Sequence, residues 1–192
     1  MSADQLQLHR SSIAAASTYV ARVTDDDLGR PTPCSAWNLG QLLDHMVSQH
    51  LGFAAVVRDG AAEPDAYRPV PFTLAAWQAS VDSLLDAFAG ADLQARVVEV
   101  ELHPTLPLPI GVLVGAQLLD TVVHTWDIAA TLGDTYEPDP QTADVVLRIA
   151  EPIPDDDSRD RPGAAFAHAL APGPTPWART LALLGRDVGW HR

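Results

Sequence analysis

Lysine is absent from this 192-residue chain: its 12 basic residues are all arginine, set against 25 acidic ones for a formal net charge of −13. No basic cluster offsets that balance. Nucleic acid and anionic membrane surfaces need Lys or Arg against their phosphates, so neither is an expected partner. A lone cysteine, Cys34, rules out an intrachain disulfide and fits a reduced, cytoplasmic setting. The opening residues, MSADQLQLHR, lack the basic-then-apolar pattern of a secretory signal. A membrane span needs roughly 18 to 20 continuous apolar residues. The most apolar stretch, 110–132, is interrupted by Gln117, Asp120, His124 and Asp127. No segment repeats and none is of low complexity. What is there is enough apolar material, 47% of residues, for a substantial core, and a length that suits one domain.

Apolar spacing then places the elements. Leu6, Ile13, Ala16, Val20 and Val23 predict a first helix over 3–24, with His9 on the same stripe. Pro and Gly make 25–35 a loop. Asn38, with Gln41 three residues on, is a capping signature and opens a second helix that runs to Asp59 and Gly60. Leu74 to Phe88 form a third amphipathic helix ending at Gly90. Residues 95–103 read as an extended segment or a short strand, and Pro104, Pro107 and Pro109 predict irregular chain after it. The fourth helix, 110–132, is apolar almost all the way round, the pattern of a helix buried on most sides. A further helix over 142–150, a polar and mobile break over 151–163, and a last short helix over 175–185 complete the chain. The reading is mainly α: an antiparallel four-helix bundle over 1–135, with 136–192 as a C-terminal extension packed on it in a single domain.

On the fourth helix, Asp120 and His124 lie four residues apart and share one face. Gln117 and Asp127 flank them, so a buried apolar helix carries one narrow polar stripe. A buried carboxylate without a counter-charge costs several kcal/mol, roughly, and no arginine lies on this helix. A divalent cation bound by carboxylate and imidazole is one solution. An Asp–His hydrogen bond, or an arginine from elsewhere, is another. His45 on the second helix shares a stripe with Gln41, Ser48 and Gly52, as on a helix lining a cavity. By itself it reads as a surface or hydrogen-bonded core histidine rather than a ligand. His50, set among Met46, Phe53 and Val57, packs or lines a pocket. Cys34 reads as a small buried hydrophobe, Trp37 and Trp126 as packing residues, and His103, His168 and His191 as solvated.

Three segments carry a resemblance. TPCSAWNLGQLLDHMVSQHLGFAAVVRDG, residues 32–60, is similar to the N-terminal region of DinB-like proteins, in the branch of mycothiol-dependent maleylpyruvate isomerase. The shared positions are Thr32, Pro33, Cys34, Trp37, Leu42, Leu43 and His45. LLDTVVHTWDIAATLG resembles the family's acidic-x-x-x-His-x-Trp-Asp helix, and WARTLALLGRD resembles the ending of short actinobacterial members. The resemblance implies a DinB-like four-helix bundle with a metal held by His45, Asp120 and His124. Zinc is the expected ion, with nickel, iron and other first-row metals as alternatives. Where these relatives usually carry Glu, this chain has Asp120, which reaches one methylene less. Asp127 becomes a residue that orients a histidine, or a fallback ligand, and His50 a residue of the pocket. Three protein ligands leave a position open, as in catalytic sites. The implied function is activation of a low-molecular-weight thiol, mycothiol-like, or of water, for isomerisation or S-transfer on a small electrophile. A metal-containing binding or sensing protein without turnover is the alternative. Related folds often dimerise, so a homodimer is one expected assembly.

Overall fold

A computed structural model describes residues 3–62, 64–161 and 164–190. The elements in chain order are α1 (Ala3–Val20), α2 (Leu39–Asp59), α3 (Leu74–Ala89), β1 (Arg96–Val98), β2 (Pro107–Pro109), α4 (Ile110–Thr131), α5 (Pro140–Ala150) and α6 (Pro176–Leu183). The first four long helices, α1 to α4, form the antiparallel bundle. α1 packs chiefly on α4 and α2 on α3, and lesser contacts between α2 and α4 and between α1 and α3 close the ring. No helix among the described residues is long and apolar enough to cross a membrane.

The ends of α2 follow from local chemistry. Asn38 Oδ1 accepts from Gln41 N at 2.9 Å, and Gln41 Oε1 accepts from Asn38 N at 3.0 Å, so each side chain satisfies an amide that the helix leaves orphaned. Gly60 closes the helix with φ 82°, a left-handed conformation that costs glycine little. α1 stops at Val20 rather than Thr24. Thr24 is extended and gives both its amide and its hydroxyl to Asp27 Oδ2, at 2.9 and 2.7 Å, which opens a separate 3-10 turn. α5 starts at Pro140, ahead of Thr142, because Asp139 caps it and proline tolerates the first turn.

The proline-rich chain before α4 is not irregular. Pro107–Pro109 pair antiparallel with Arg96–Val98, in the register Arg96↔Pro109, Val97↔Leu108 and Val98↔Pro107. In a two-stranded hairpin each strand has a free edge, and proline is tolerated there because no neighbour demands its missing N–H. The hairpin loop is drawn inward by Glu99, fully buried, which accepts from Leu102 N at 2.7 Å and from the Tyr67 hydroxyl.

α4 is sandwiched between two apolar clusters, which is why 17 of its 22 residues are buried. Ile110, Leu113, Val114 and Ile128 face the bundle core. Leu118, Leu119, Val122 and Val123 face a second cluster with Val146 of α5 and with Trp177 and Leu181 of α6. The polar break after α5, read from sequence as mobile, is clamped over its described part. The Arg159 side chain is 5% exposed and donates to the carbonyls of Pro154, Ala167 and Leu183 at 2.6 to 2.8 Å. Residues 162 and 163 of that break lie outside the described residues.

Two substitutions separate the packing and capping contributions. Leu118→Ala, at a fully buried α4 position, should destabilise by about 2–5 kcal/mol. Asn38→Ala should cost about 1 kcal/mol. Urea unfolding of both variants checks the ratio.

Candidate metal centre

The two stretches that hold His45 and the Asp120–His124 pair converge where α2 crosses α4. Asp120 Oδ1 lies 3.3 Å from His45 Nε2 and 3.3 Å from His124 Nε2. One ligand atom from each of the three residues falls within 4.8 Å of the others. Both 3.3 Å separations are long for a charge-assisted hydrogen bond. They equal the edge of a tetrahedron whose metal–ligand bonds are about 2.05 Å, which is about 3.3 Å. The other carboxylate oxygen, Asp120 Oδ2, is buried and takes no hydrogen bond. Two imidazoles and a carboxylate suit zinc and other first-row metals, so the residues present fit such an ion. The shorter Asp side chain still brings an oxygen between both rings.

A second layer orients the first. His124 Nδ1 donates to Asp127 Oδ2 at 2.9 Å, which turns Nε2 toward Asp120 and His45. Asp127 is fully buried and also accepts from Arg186 Nη2 at 3.3 Å, while Arg186 Nη1 donates to Leu184 O at 2.9 Å. Trp37 lies against both rings, its centroid 4.5 Å from that of His45 and 6.0 Å from that of His124. Burial disfavours a charged imidazole at His124, but the Asp120 and Asp127 carboxylates outweigh it and push its pKa up to about 9. Burial likewise opposes charge on Asp120, yet the adjoining imidazoles hold its carboxyl well below the usual range.

The three residues form part of the wall of a cavity of about 500 Å³. α4 contributes Val112, Ala116, Gln117 and Leu119, and α2 contributes Gln49 and Phe53. The hairpin loop adds Glu101 and Leu102, and the C-terminal region adds Phe166 and Leu184. Gln49, one helical turn after His45, shares its face. His50, one residue further, is rotated away and does not line the cavity. It is fully buried on the α3 side, with Nδ1 3.0 Å from Ser80 Oγ and its ring edge-on to Trp77. Burial pushes its pKa down to about 4. Asp127 is shut off from the cavity by its pairing with His124 and Arg186.

Elsewhere, Cys34 is buried and burial pushes its thiol up, in keeping with a packing role. Trp126 lines a different pocket, beside Tyr136 and Trp177. His103 Nδ1 accepts from Leu106 N at 2.9 Å. His168, read as solvated, sits between Asp155 and Asp160, with nitrogens at 2.7 and 3.1 Å from their oxygens. His191 lies outside the described residues.

The model of the mycothiol maleylpyruvate isomerase N-terminal domain matches residues 9–129. The chain belongs to this family. Two uncharacterised Mycobacterium tuberculosis proteins, MT0763 and Rv0738 from two strains, are each 32% identical to it over 195 residues, covering 96% of this chain and 99% of theirs. The crystal structure of the mycothiol-dependent maleylpyruvate isomerase superposes with a TM-score of 0.60 at 15% identity, over 77% of this chain and 66% of that one. A histidine-to-alanine mutant of that enzyme matches equally well. The likeness identifies the bundle as DinB-like. The chain thus spans slightly under two thirds of the solved isomerase.

The family match takes in His45, Asp120, His124 and Asp127 and ends before Arg186. Arg186 escapes a reading of the sequence because it meets Asp127 across 59 positions, a distance no spacing rule covers. The only signal is the GRD ending after a leucine run.

Arg186→Met leaves the Asp127 carboxylate without its buried counter-charge and should destabilise the protein by about 3–5 kcal/mol. Adding Asp127→Asn should recover a large part, as read by a double-mutant cycle in urea. The pH dependence of metal-free protein has a defined sign. Folding raises the His124 pKa from 6.5 to about 9, so this imidazole stabilises the fold fully below pH 6.5. That contribution is lost as pH climbs through about 9. The thermal midpoint of metal-free protein should therefore fall across this window, and His124→Gln should flatten the change.

Proposed function

We propose that His45, Asp120 and His124 hold a divalent metal, with zinc first and nickel or iron as alternatives. The protein then acts as an enzyme that activates a low-molecular-weight thiol of the mycothiol type for isomerisation or S-transfer on a small electrophile. The observation that carries this reading is the single Asp120 oxygen set 3.3 Å from two imidazole nitrogens in the wall of a largely apolar cavity. The names of the family and of the solved isomerase support the thiol.

When bound, such an ion supplies Lewis acidity that deprotonates a coordinated thiol or water near neutral pH. The chain's own residues prepare that chemistry. Asp127 accepts from Nδ1–H of His124, which leaves Nε2, on the Asp120 side, as the nitrogen that would give its lone pair to an ion. Arg186 supplies the counter-charge of Asp127 in a fully buried place. Trp37 packs over His45 and limits the ring's rotation. Phe53, Leu119, Val123 and Phe166 give the space beside the three ligands an apolar wall.

A second reading, a metal-containing protein that binds or senses a small molecule without turnover, draws on the cavity wall. Beyond the three ligands its titratable lining among the described residues is Glu101, which is exposed. A proton donor or acceptor for turnover would then have to come from thiol, water or substrate.

Protein purified without a histidine tag should carry about one metal ion per chain by elemental analysis, and His45→Ala should lose it. Unchanged metal content in His45→Ala would rule out this ligand set. A panel of thiols and electrophiles should show thiol-dependent turnover by the loaded protein. Metal without turnover would decide for the binding reading.

A further inference from the structure

The cavity beside the three ligands has a charge pattern that limits what it can admit. Its lining holds no Arg among the described residues, and the chain has no Lys at all. The nearest buried arginine, Arg186, is 3% exposed and committed to Asp127 and Leu184 O rather than to the cavity, and the His124 imidazole in the wall is already held between the Asp120 and Asp127 carboxylates. The lining does hold two carboxylates, Asp120 in the wall and Glu101 at the mouth. The formal charge of these two groups would equal in size that of a divalent ion held there, with no further cation in the wall to attract an anion. Most of its remaining surface is apolar: Phe53, Val112, Leu119, Val123, Ile149 and Phe166.

Placing a dianion in such a space leaves at least one of its two charges with no partner, which is unfavourable in an apolar surrounding. An apolar molecule of small-ligand size gains instead, since about 500 Å³ lies within the usual range for such sites. Gln117 is 1% exposed, and its amide oxygen takes no hydrogen bond from the protein. Gln49, a second amide, lines the same cavity from α2.

We infer that the molecule taken up beside the three ligands is an uncharged, mainly apolar electrophile, and that the cavity discriminates against dicarboxylates. This rests on the metal-centre reading for the word electrophile, but the charge selection belongs to the cavity walls and holds with or without metal. It sets this chain apart from what the name of its family suggests, since maleylpyruvate carries two carboxylates.

The test uses an unreactive matched pair, diethyl succinate and succinate, titrated by calorimetry into full-length protein in metal-free and zinc-loaded forms. The expected result is a diester affinity at least ten-fold above that of succinate in both forms. Gln49→Arg, which places a cation in the wall, should reverse the preference. Val112→Arg, at a partly exposed lining position, makes the same test if circular dichroism shows Gln49→Arg unfolded. Succinate binding as tightly as the diester to metal-free protein overturns the inference. So does a preference for succinate that appears only with zinc, because the ion rather than the wall would then select. Failure of either ligand to bind at millimolar concentration also overturns it. Failure of zinc to load, read separately by elemental analysis, counts against the metal centre and leaves the diester preference of metal-free protein to be judged alone.

Discussion

A carboxylate on an apolar helix must find a positive partner, and the candidate site is organised around how Asp120 meets that requirement. α4 is enclosed by the bundle core on one side and by the cluster with α5 and α6 on the other. Asp120 lines the cavity, and its side chain is 24% exposed. Its partners come from two directions: His124, one turn along the same helix, and His45 from α2. In the absence of a metal, the Asp120 and Asp127 carboxylates outweigh burial and favour a proton on the His124 imidazole, whose pKa is pushed up to about 9. A cation held by all three side chains would take over the same electrostatic task. Protonated imidazole and bound ion are thus alternative answers to one constraint, and they compete for His124 Nε2.

The surrounding structure makes that constraint tolerable. Asp127 fixes the orientation of His124, and Arg186 neutralises Asp127, so the second buried carboxylate does not add its charge to the first. The chain of contacts runs from the C-terminal segment through Arg186, Asp127 and His124 to Asp120. Each link is a hydrogen bond or ion pair of 2.9 to 3.3 Å. Trp37 covers the two imidazoles from a segment held by its own local bonds, among them Thr32 Oγ1 to Trp37 O at 2.8 Å.

Much of this is legible in the sequence where the causes are local. The Asn38–Gln41 cap and Gly60 bracket α2 because capping depends on residues a few positions apart. The all-round apolar character of α4 announces a helix covered on two sides, and the i, i+4 spacing places Asp120 and His124 together. Features that depend on tertiary pairing are not legible. Prolines 107 and 109 argue for irregular chain until a partner strand with a free edge is present. The polar segment after α5 looks mobile until Arg159 is seen anchoring it through backbone carbonyls. His50 and Gln49 are adjacent in sequence, but a step of one residue on a helix turns the side chain by about 100°, so only Gln49 keeps the cavity-facing direction of His45.

Labour is divided between the bundle and the C-terminal segment. The family match ends at residue 129 and holds the three candidate ligands together with Trp37 and Asp127. Beyond it come Arg186, which neutralises Asp127, and Ile149, Ile153, Phe166 and Leu184, which build one side of the cavity. The bundle by itself would leave Asp127 without its counter-charge and the ligand face open to water. The later segment therefore does two separable things: it completes the electrostatics behind His124, and it shapes the space in front of it. A change at Phe166 or Ile153 alters the space without touching the ligands, whereas a change at Arg186 acts on the ligands through Asp127 and meets the cavity wall only at the backbone carbonyl of Leu184. Because the side chains that shape the space are not those that orient the ligands, and the two sets meet only at Leu184, substitutions in the cavity wall can change the bound molecule while leaving the ligand set in place.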